Sequence, residues 1–149
     1  MTTREQWLEL AERCEKAEGP DRELDARITV ACFKKQNDEW GEFAKMPTPH
    51  DHDIAQGCYW LCARSGDSLR TAETLTASLD AITALIEREF PGYIWVASRR
   101  ETPLGSSTAE GIVSKHKRQR KPDVFAKTPA LALCAAFCRQ GAAMAERAE

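Results

Sequence analysis

The chain has 149 residues, of which 42% are hydrophobic and 30% are charged, and its formal net charge is −2. These values exclude a disordered chain and predict a single domain, residues 1–149, that buries its own core. No apolar run approaches the roughly 20 residues that cross a bilayer, and the first ten residues, MTTREQWLEL, have no signal-peptide core. We therefore expect a cytoplasmic protein without a membrane contact, whose six cysteines are reduced.

Charge is distributed unevenly along the sequence. Residues 1–53 contain eight Lys or Arg and thirteen Asp or Glu, whereas residues 92–127 contain eight and three, so the two regions have net charges of −5 and +5. The basic region indicates an anionic partner, although a solvated loop gives the same pattern. The sequence pI of about 6.0 is below the range typical of duplex nucleic-acid-binding domains, so duplex nucleic acid is not the expected partner.

Two amphipathic helices are predicted first, over residues 3–17 and 21–35. Thr2 and Glu5 match the capping box S/T-x-x-E, and Gly19–Pro20 ends the first helix. The short connection predicts an antiparallel helical hairpin. The inner faces at helical spacing are Trp7, Leu10, Ala11 and Cys14 in the first helix, and Leu24, Ile28, Ala31 and Cys32 in the second.

The middle of the chain is less regular. Residues 36–57 contain two prolines, two glycines and no hydrophobic period, which predicts a long irregular segment. The apolar run CYWLCARSG, residues 58–66, fits either a short buried strand or a helical turn. A strand near residues 58–64 would stabilise a small sheet, since an isolated hairpin is only marginally stable.

A third helix and a β-hairpin are predicted next. Ser78 is a suitable N-cap and Pro91–Gly92 is a stop signal. Alternation in YIWVASRR predicts a strand over residues 93–100, and AEGIVSKHK is the return strand of a hairpin over residues 93–116. The inner stripe of the helix, read from its spacing, is Leu79, Ile82, Leu85 and Ile86.

The last predicted helix runs from Pro129 to Arg147 and contains Cys134 and Cys138, four residues apart. Reactive cysteines require an electropositive, exposed setting, which this apolar helix lacks. We therefore interpret both as core residues rather than as metal ligands or a redox pair. The predicted fold class is α+β, with about four helices packed with a small antiparallel β-sheet.

Three segments resemble an uncharacterised family of phage and prophage proteins. LTASLDAITALIEREFPGYIWVASRR is similar to the family's T-x-S-L-D-A segment and P-G-x-x-W strand, and KTPALALCAAFCRQGA is similar to its closing T-P-A-L-A-L-C-A-A helix. LDARI, residues 24–28, is similar to an N-terminal helix of the family, and the phage NinX family shares a fainter version. Leu75 departs from the pattern, which tends to have Tyr there. The resemblance implies a phage or prophage origin, in the cytoplasm of a bacterial host, and carries over no catalytic residues.

A metal site is an alternative within the irregular segment. His50 and His52 precede Cys58 and Cys62, all within thirteen residues. Zinc accepts these ligand types in a tetrahedral shell, but the spacing matches no standard zinc module. We therefore expect no cofactor, and a zinc-dependent enzyme built on residues 50–62 is the alternative.

The hairpin is the better candidate for a ligand site, because arginine binds phosphate through paired hydrogen bonds and aromatic rings stack on bases. With a turn at residues 102–108, Arg99 and Arg100 lie opposite residues 109–112. The basic residues from 115 onward then lie near Tyr93. The sequence thus predicts two separate basic patches, with core packing of Trp95 as the alternative to a stacking role. The candidate ligand-binding residues are Arg99, Arg100, Lys117, Arg118, Arg120, Tyr93 and Trp60.

Signatures of common enzyme classes are absent: there is no G-x-S-x-G, P-loop, H-E-x-x-H or dinucleotide fingerprint. We expect a non-catalytic, homo-oligomeric accessory protein that binds an anionic small molecule, such as a nucleotide immune signal, in counter-defence. The alternative is a protein-interaction module that inhibits a host defence protein through its acidic helices, with Glu9, Glu12 and Asp25 as contact residues.

Overall fold

A computed structural model of the chain describes residues 2–35, 42–44, 60–62, 69–101, 103, 107–115 and 124–148. The elements in these ranges are α1 (Arg4–Lys16), α2 (Arg22–Lys35), β1 (Glu42–Ala44), β2 (Trp60–Cys62), β3 (Leu69–Thr71), α3 (Leu79–Glu89), β4 (Ile94–Glu101), β5 (Ser107–Ser114), β6 (Val124–Ala126) and α4 (Pro129–Ala148). The strands form two antiparallel three-stranded sheets, in the orders β1-β2-β3 and β4-β5-β6. The predicted α+β class is confirmed.

Helix α4 is the centre of the core. Residues 130–138 are all buried, as expected of a helix that is apolar on every side. α1 lies along it, where the Trp7 and Phe137 rings meet edge to face with centroids 5.9 Å apart. Gly141 makes room for this contact, since a Cβ there would lie 2.8 Å from the Trp7 ring. Although α4 has 20 residues, no helix in the described ranges is long and apolar enough to cross a membrane.

Strand β5 lies directly against α4 on another side of that helix. A Cβ added to Gly111 would stand 2.4 Å from the carbonyl oxygen of Ala132, a distance that no real Cβ contact reaches. The obstacle is backbone, which cannot rotate away as a side chain does. The position therefore requires glycine because of close packing, and the sheet β4-β5-β6 is held against the central helix at this point.

A buried carboxylate joins the start of α2 to the segment before α3. Asp25 is fully buried, and it accepts hydrogen bonds from the Thr76 backbone N–H and the Arg22 guanidinium, each at 2.7 Å. Arg22 also donates to the carbonyls of Ala72 and Glu73, at 2.7 and 3.1 Å. Burial raises the pKa of Asp25 above its ordinary value, and the hydrogen bonds from Thr76 and Arg22 oppose that shift.

The predicted cap of α1 is wrong by one residue. Thr3 is the N-cap: its hydroxyl accepts from the Gln6 N–H, and the Gln6 side chain accepts from the Thr3 N–H. Thr2, paired with Glu5 in the prediction, is instead buried and donates to the carbonyl oxygen of Ala31 at 3.0 Å. This bond also brings the start of α1 to the last part of α2, in agreement with the predicted antiparallel hairpin.

The predicted inner faces of α1 and α2 are confirmed, since every residue in them is buried. In α3, Ser78 is the N-cap as predicted, and its side chain accepts from the Ala81 N–H. Leu79 is the exception, because it is 42% exposed. At about 100° per residue, the first residue of α3 lies at the margin of the stripe formed by the buried residues, which are Ile82, Leu85 and Ile86.

The third strand of the hairpin's sheet is not the predicted one. A strand does occur near residues 58–64, but it is β2, which pairs with β1 and β3. The hairpin is completed by β6 instead. β1 falls within residues 36–57, predicted to be irregular, and the rest of that segment lies outside the described residues. Strands of three residues are too short to show an alternation.

Gly111→Ala is expected to lower the free energy of unfolding by about 2–3 kcal/mol, because the added methyl group displaces the backbone of α4. Gly19→Ala is the matched control, since a Cβ there meets nothing within 4 Å. We expect it to change stability by less than about 1 kcal/mol. Urea denaturation measures both, and a loss in Gly111→Ala no larger than in Gly19→Ala would contradict the close approach.

Asp25→Ala is expected to cost about 3 kcal/mol at neutral pH, because Thr76 and Arg22 lose their buried acceptor. Glu9→Ala, an exposed site on α1, is the control and should change stability by no more than about 0.5 kcal/mol. Because the folded-state pKa of Asp25 is raised above 3.8, its contribution is full below that pH and declines as the pH rises through the folded pKa. Denaturation across a pH series should therefore show the difference between wild type and Asp25→Ala narrowing as the pH rises.

Candidate ligand-binding surface

The β4–β5 hairpin has a shorter turn than the sequence predicts: Ser107 and Thr108 belong to β5, so Arg100 pairs with Thr108 rather than with a residue of the range 109–112. Arg99 pairs with Ala109 near the turn, and Ile94 pairs with Ser114 at the other end of the strands. Lys115, which begins the second basic group, directly follows Ser114. Lys115 is six strand positions from Ala109, the partner of Arg99, which at about 3.3 Å per residue is roughly 20 Å. Arg99 and Lys115 therefore lie at opposite ends of the hairpin.

One face of β4 carries an aromatic ring and an arginine. Side chains alternate along a strand, so Trp95, Ala97 and Arg99 share a face. Ala97 is partly buried against the core, which places this face on the same side as α4. Trp95 is 38% exposed, so it lies at the margin of the core rather than within it. Arg99 is exposed and has no ion-pair partner within the described ranges.

The opposite face of the hairpin contains a buried acidic side chain. Glu110 is only 7% exposed, and its Oε1 lies 3.1 Å from Nε of Arg100, while its Oε2 accepts from the Ser98 hydroxyl at 3.5 Å. The Arg100 side chain is nevertheless 73% exposed. Part of the Arg100 charge is thus used to balance Glu110. This partner of Arg100 was not predicted, although an acidic residue in the middle of a predicted strand is a signal for it.

Tyr93, another predicted ligand-binding residue, packs partly against the core. The Tyr93 ring packs against Phe90, with centroids 5.2 Å apart, and its hydroxyl lies 3.9 Å from the Met144 sulfur. One side of the Tyr93 ring therefore belongs to the core. The backbone of Trp60 lies in β2, but its side chain is outside the described residues. So are Lys117, Arg118 and Arg120.

The candidate zinc ligands also lie outside the described residues: these are His50, His52, Cys58 and the side chain of Cys62. Within the described part of the chain, no group of three or more His, Cys, Asp or Glu is placed to hold a metal ion. The zinc alternative therefore stays a prediction.

The acidic N-terminal helices are largely neutralised by neighbouring cations. Of the three predicted contact residues, Asp25 is buried, so its predicted role on the surface is wrong. Glu12 lies 3.7 Å from Lys16, and Glu9 is exposed. Three of the ion pairs, Arg4–Glu146 at 3.7 Å among them, join α1 and the residues after it to the C-terminal part of the chain. The pairs include Glu15–Arg139 at 2.6 Å, Glu18–Lys127, and Glu23 with Arg13 and Arg27 at 3.6 and 2.9 Å.

The cysteines of α4 are core residues, as the sequence predicts. Cys134 and Cys138 are fully buried beside Cys14 of α1, and the Cys134 thiol donates to the carbonyl oxygen of Leu75 at 3.4 Å. Burial raises the pKa of both α4 thiols well above the usual range, so they stay protonated at neutral pH. Burial and a raised pKa both make a thiol less reactive.

No protein-family model, no curated protein and no solved structure matches the chain. The choice between functions therefore depends on the surface of the hairpin and on the resemblance in sequence.

A thiol-alkylating reagent should leave Cys14, Cys32, Cys134 and Cys138 unmodified in the folded protein, because all four are buried. The same cysteines should react fully in denaturant. Peptide mapping by mass spectrometry after short exposures distinguishes each site, and the denatured protein is the positive control. Rapid labelling of Cys14 or Cys134 under native conditions would show that these thiols are accessible, and would contradict their role as packed core residues.

Proposed function

We propose that the protein is a non-catalytic phage or prophage accessory protein that binds an anionic small molecule at β4. The observation that carries the proposal is the presence of Trp95 and Arg99 on one face of the strand. Trp95 is part-exposed, and Arg99 is exposed without an ion-pair partner in the described ranges. An indole offers a stacking surface, and a guanidinium offers two parallel donors to a phosphate.

The spacing of the two side chains favours a nucleotide. Four residues along a strand separate the Cα atoms of Trp95 and Arg99 by about 13 Å. A ligand that stacks its base on Trp95 and extends its phosphates along β4 reaches Arg99. A bare inorganic anion would use the arginine alone. The proposed ligand class is therefore a nucleotide with an extended phosphate chain.

Arg100 has a supporting role in this proposal. Its side chain lies on the opposite face of β4 from Arg99, because successive residues of a strand alternate. It is also paired with Glu110, which balances part of its charge. Its contribution is therefore a general positive potential at the turn end of the hairpin rather than a direct contact.

The resemblance in sequence supports a phage context. Phage genomes encode small accessory proteins that counter host defences, some of which sequester nucleotide signals, so a binder without catalytic residues has a plausible role there. The protein-interaction alternative is weaker, because two of the four acidic side chains of α1, Glu12 and Glu15, are paired with cations and Asp25 is buried.

Arg99→Ala is expected to weaken binding of a fluorescent adenine nucleotide about tenfold or more, because it removes a charged pair of hydrogen-bond donors. Arg147→Ala, an exposed arginine in the last turn of α4, removes the same charge elsewhere and should have a small effect. Fluorescence anisotropy at one fixed salt concentration measures both affinities.

Trp95→Ala separates the two parts of the proposed site. It should weaken binding of the adenine nucleotide but leave binding of inorganic triphosphate nearly unchanged, because only the nucleotide has a base to stack. Equal losses in Arg99→Ala and Arg147→Ala, or no binding of either probe to the wild-type protein, would rule out this proposal.

A further inference from the structure

Strand β4 forms an edge of the sheet β4-β5-β6. It pairs with β5 in one unbroken register over all eight residues, and every side chain in it is exposed or half-buried. Its other row of backbone N–H and C=O groups faces no strand in the part of the chain that is described. Proteins usually block such an edge with a short strand, a bulge, a proline or charged side chains. β4 is long, regular and free of proline, and its charges are confined to its second half. It can therefore pair with a further strand whose side chains complement those charges.

The side chains of β4 are complementary to those of a second, antiparallel copy. The first half of the strand, IWV, is apolar, and the second half, SRRE, is charged. A two-fold axis perpendicular to the sheet keeps the α4-facing side of both copies together. With Ala97 on that axis, Trp95 of each copy lies directly opposite Arg99 of the other, and side chains paired in this way have Cβ atoms about 5 Å apart.

In this register, the charged half of each β4 lies beside the apolar, aromatic half of the other. A guanidinium over an indole face forms a cation–π contact, and the two-fold axis generates that contact twice. The two copies of Arg99 stay four strand positions apart, or about 13 Å. A parallel arrangement would set the arginines side by side. The charge pattern therefore selects the antiparallel pairing, and the small side chain of Ala97 fits at the axis.

We propose that the protein forms a homodimer by antiparallel pairing of β4 with β4 of a second copy, centred on Ala97. The β4-β5-β6 sheets of the two copies then form one continuous sheet of six strands. The dimer does not depend on the proposed ligand. Ligand and dimer share the Trp95 ring, because a base would stack on the indole that Arg99 of the second copy covers.

Ala97→Cys tests the position of the axis. Two cysteines on the axis have Cβ atoms about 4.5–5.5 Å apart, close to the roughly 4 Å that a disulfide spans, so mild oxidation should give a covalent dimer. Ser98→Cys is the matched control, because its two copies lie on the other face and diagonal to each other, about 7–8 Å apart. The wild-type protein under the same oxidation reports any cross-linking through native cysteines. Cross-linking of Ser98→Cys as efficient as that of Ala97→Cys would overturn the register.

Light scattering on the unmodified chain at micromolar concentration tests the dimer itself, without any ligand or new cysteine. We expect the mass of two chains, and Arg99→Glu should raise the dissociation constant about tenfold by removing both cation–π contacts. Arg147→Glu changes the charge equally and should leave the dimer intact. A monomer, or a dimer that Arg99→Glu leaves unchanged, would overturn the proposal. Protection of β4 amides from hydrogen exchange in a monomer would show instead that another segment of the same chain covers the edge.

Discussion

The close approach between β5 and α4 is the constraint on which the rest of the fold depends. Gly111 allows the sheet to rest on the backbone of Ala132, and Gly141 allows the Trp7 ring to rest on the same helix further along. Between these two contacts, Phe137 fills the space toward α1 and Phe90. The small residues set the distances between α4 and the elements packed on it, and the large residues fill the remaining space. Each neighbouring element therefore packs against α4 at one distance.

A second constraint fixes the position of α2 relative to the segment before α3. The hydrogen bond that Asp25 accepts from the Thr76 N–H joins LDARI to LTASLD, two segments about 50 residues apart. Their meeting at one buried carboxylate fixes the segment before α3 against α2. It also decides where α3 begins, because Thr76 stands just before the Ser78 cap.

Features that repeat along the chain could be predicted from the sequence, and features that depend on one distant contact could not. The helical period identified the buried faces of α1 and α2, and eight alternating residues identified β4, although the turn after it was predicted too long. Thr2 and Thr3 both fit a capping box, and the choice depends on a bond from Thr2 to Ala31 that the local sequence does not contain. The same holds for the site. Arg99 and Arg100 look equivalent in sequence, and only the cross-strand position of Glu110 distinguishes them.

The order of the elements along the chain has a consequence for how the protein folds. Helix α4, which completes the core, is synthesised after every other described element. Glu15 can form its ion pair only when Arg139, 124 residues later, has been synthesised. During synthesis, the α1–α2 hairpin therefore exists with Trp7 and its apolar neighbours uncovered. Native contacts of such long separation slow folding, and exposed apolar faces aggregate at cellular concentrations. The nascent protein should consequently be a client of chaperones until its last described helix emerges.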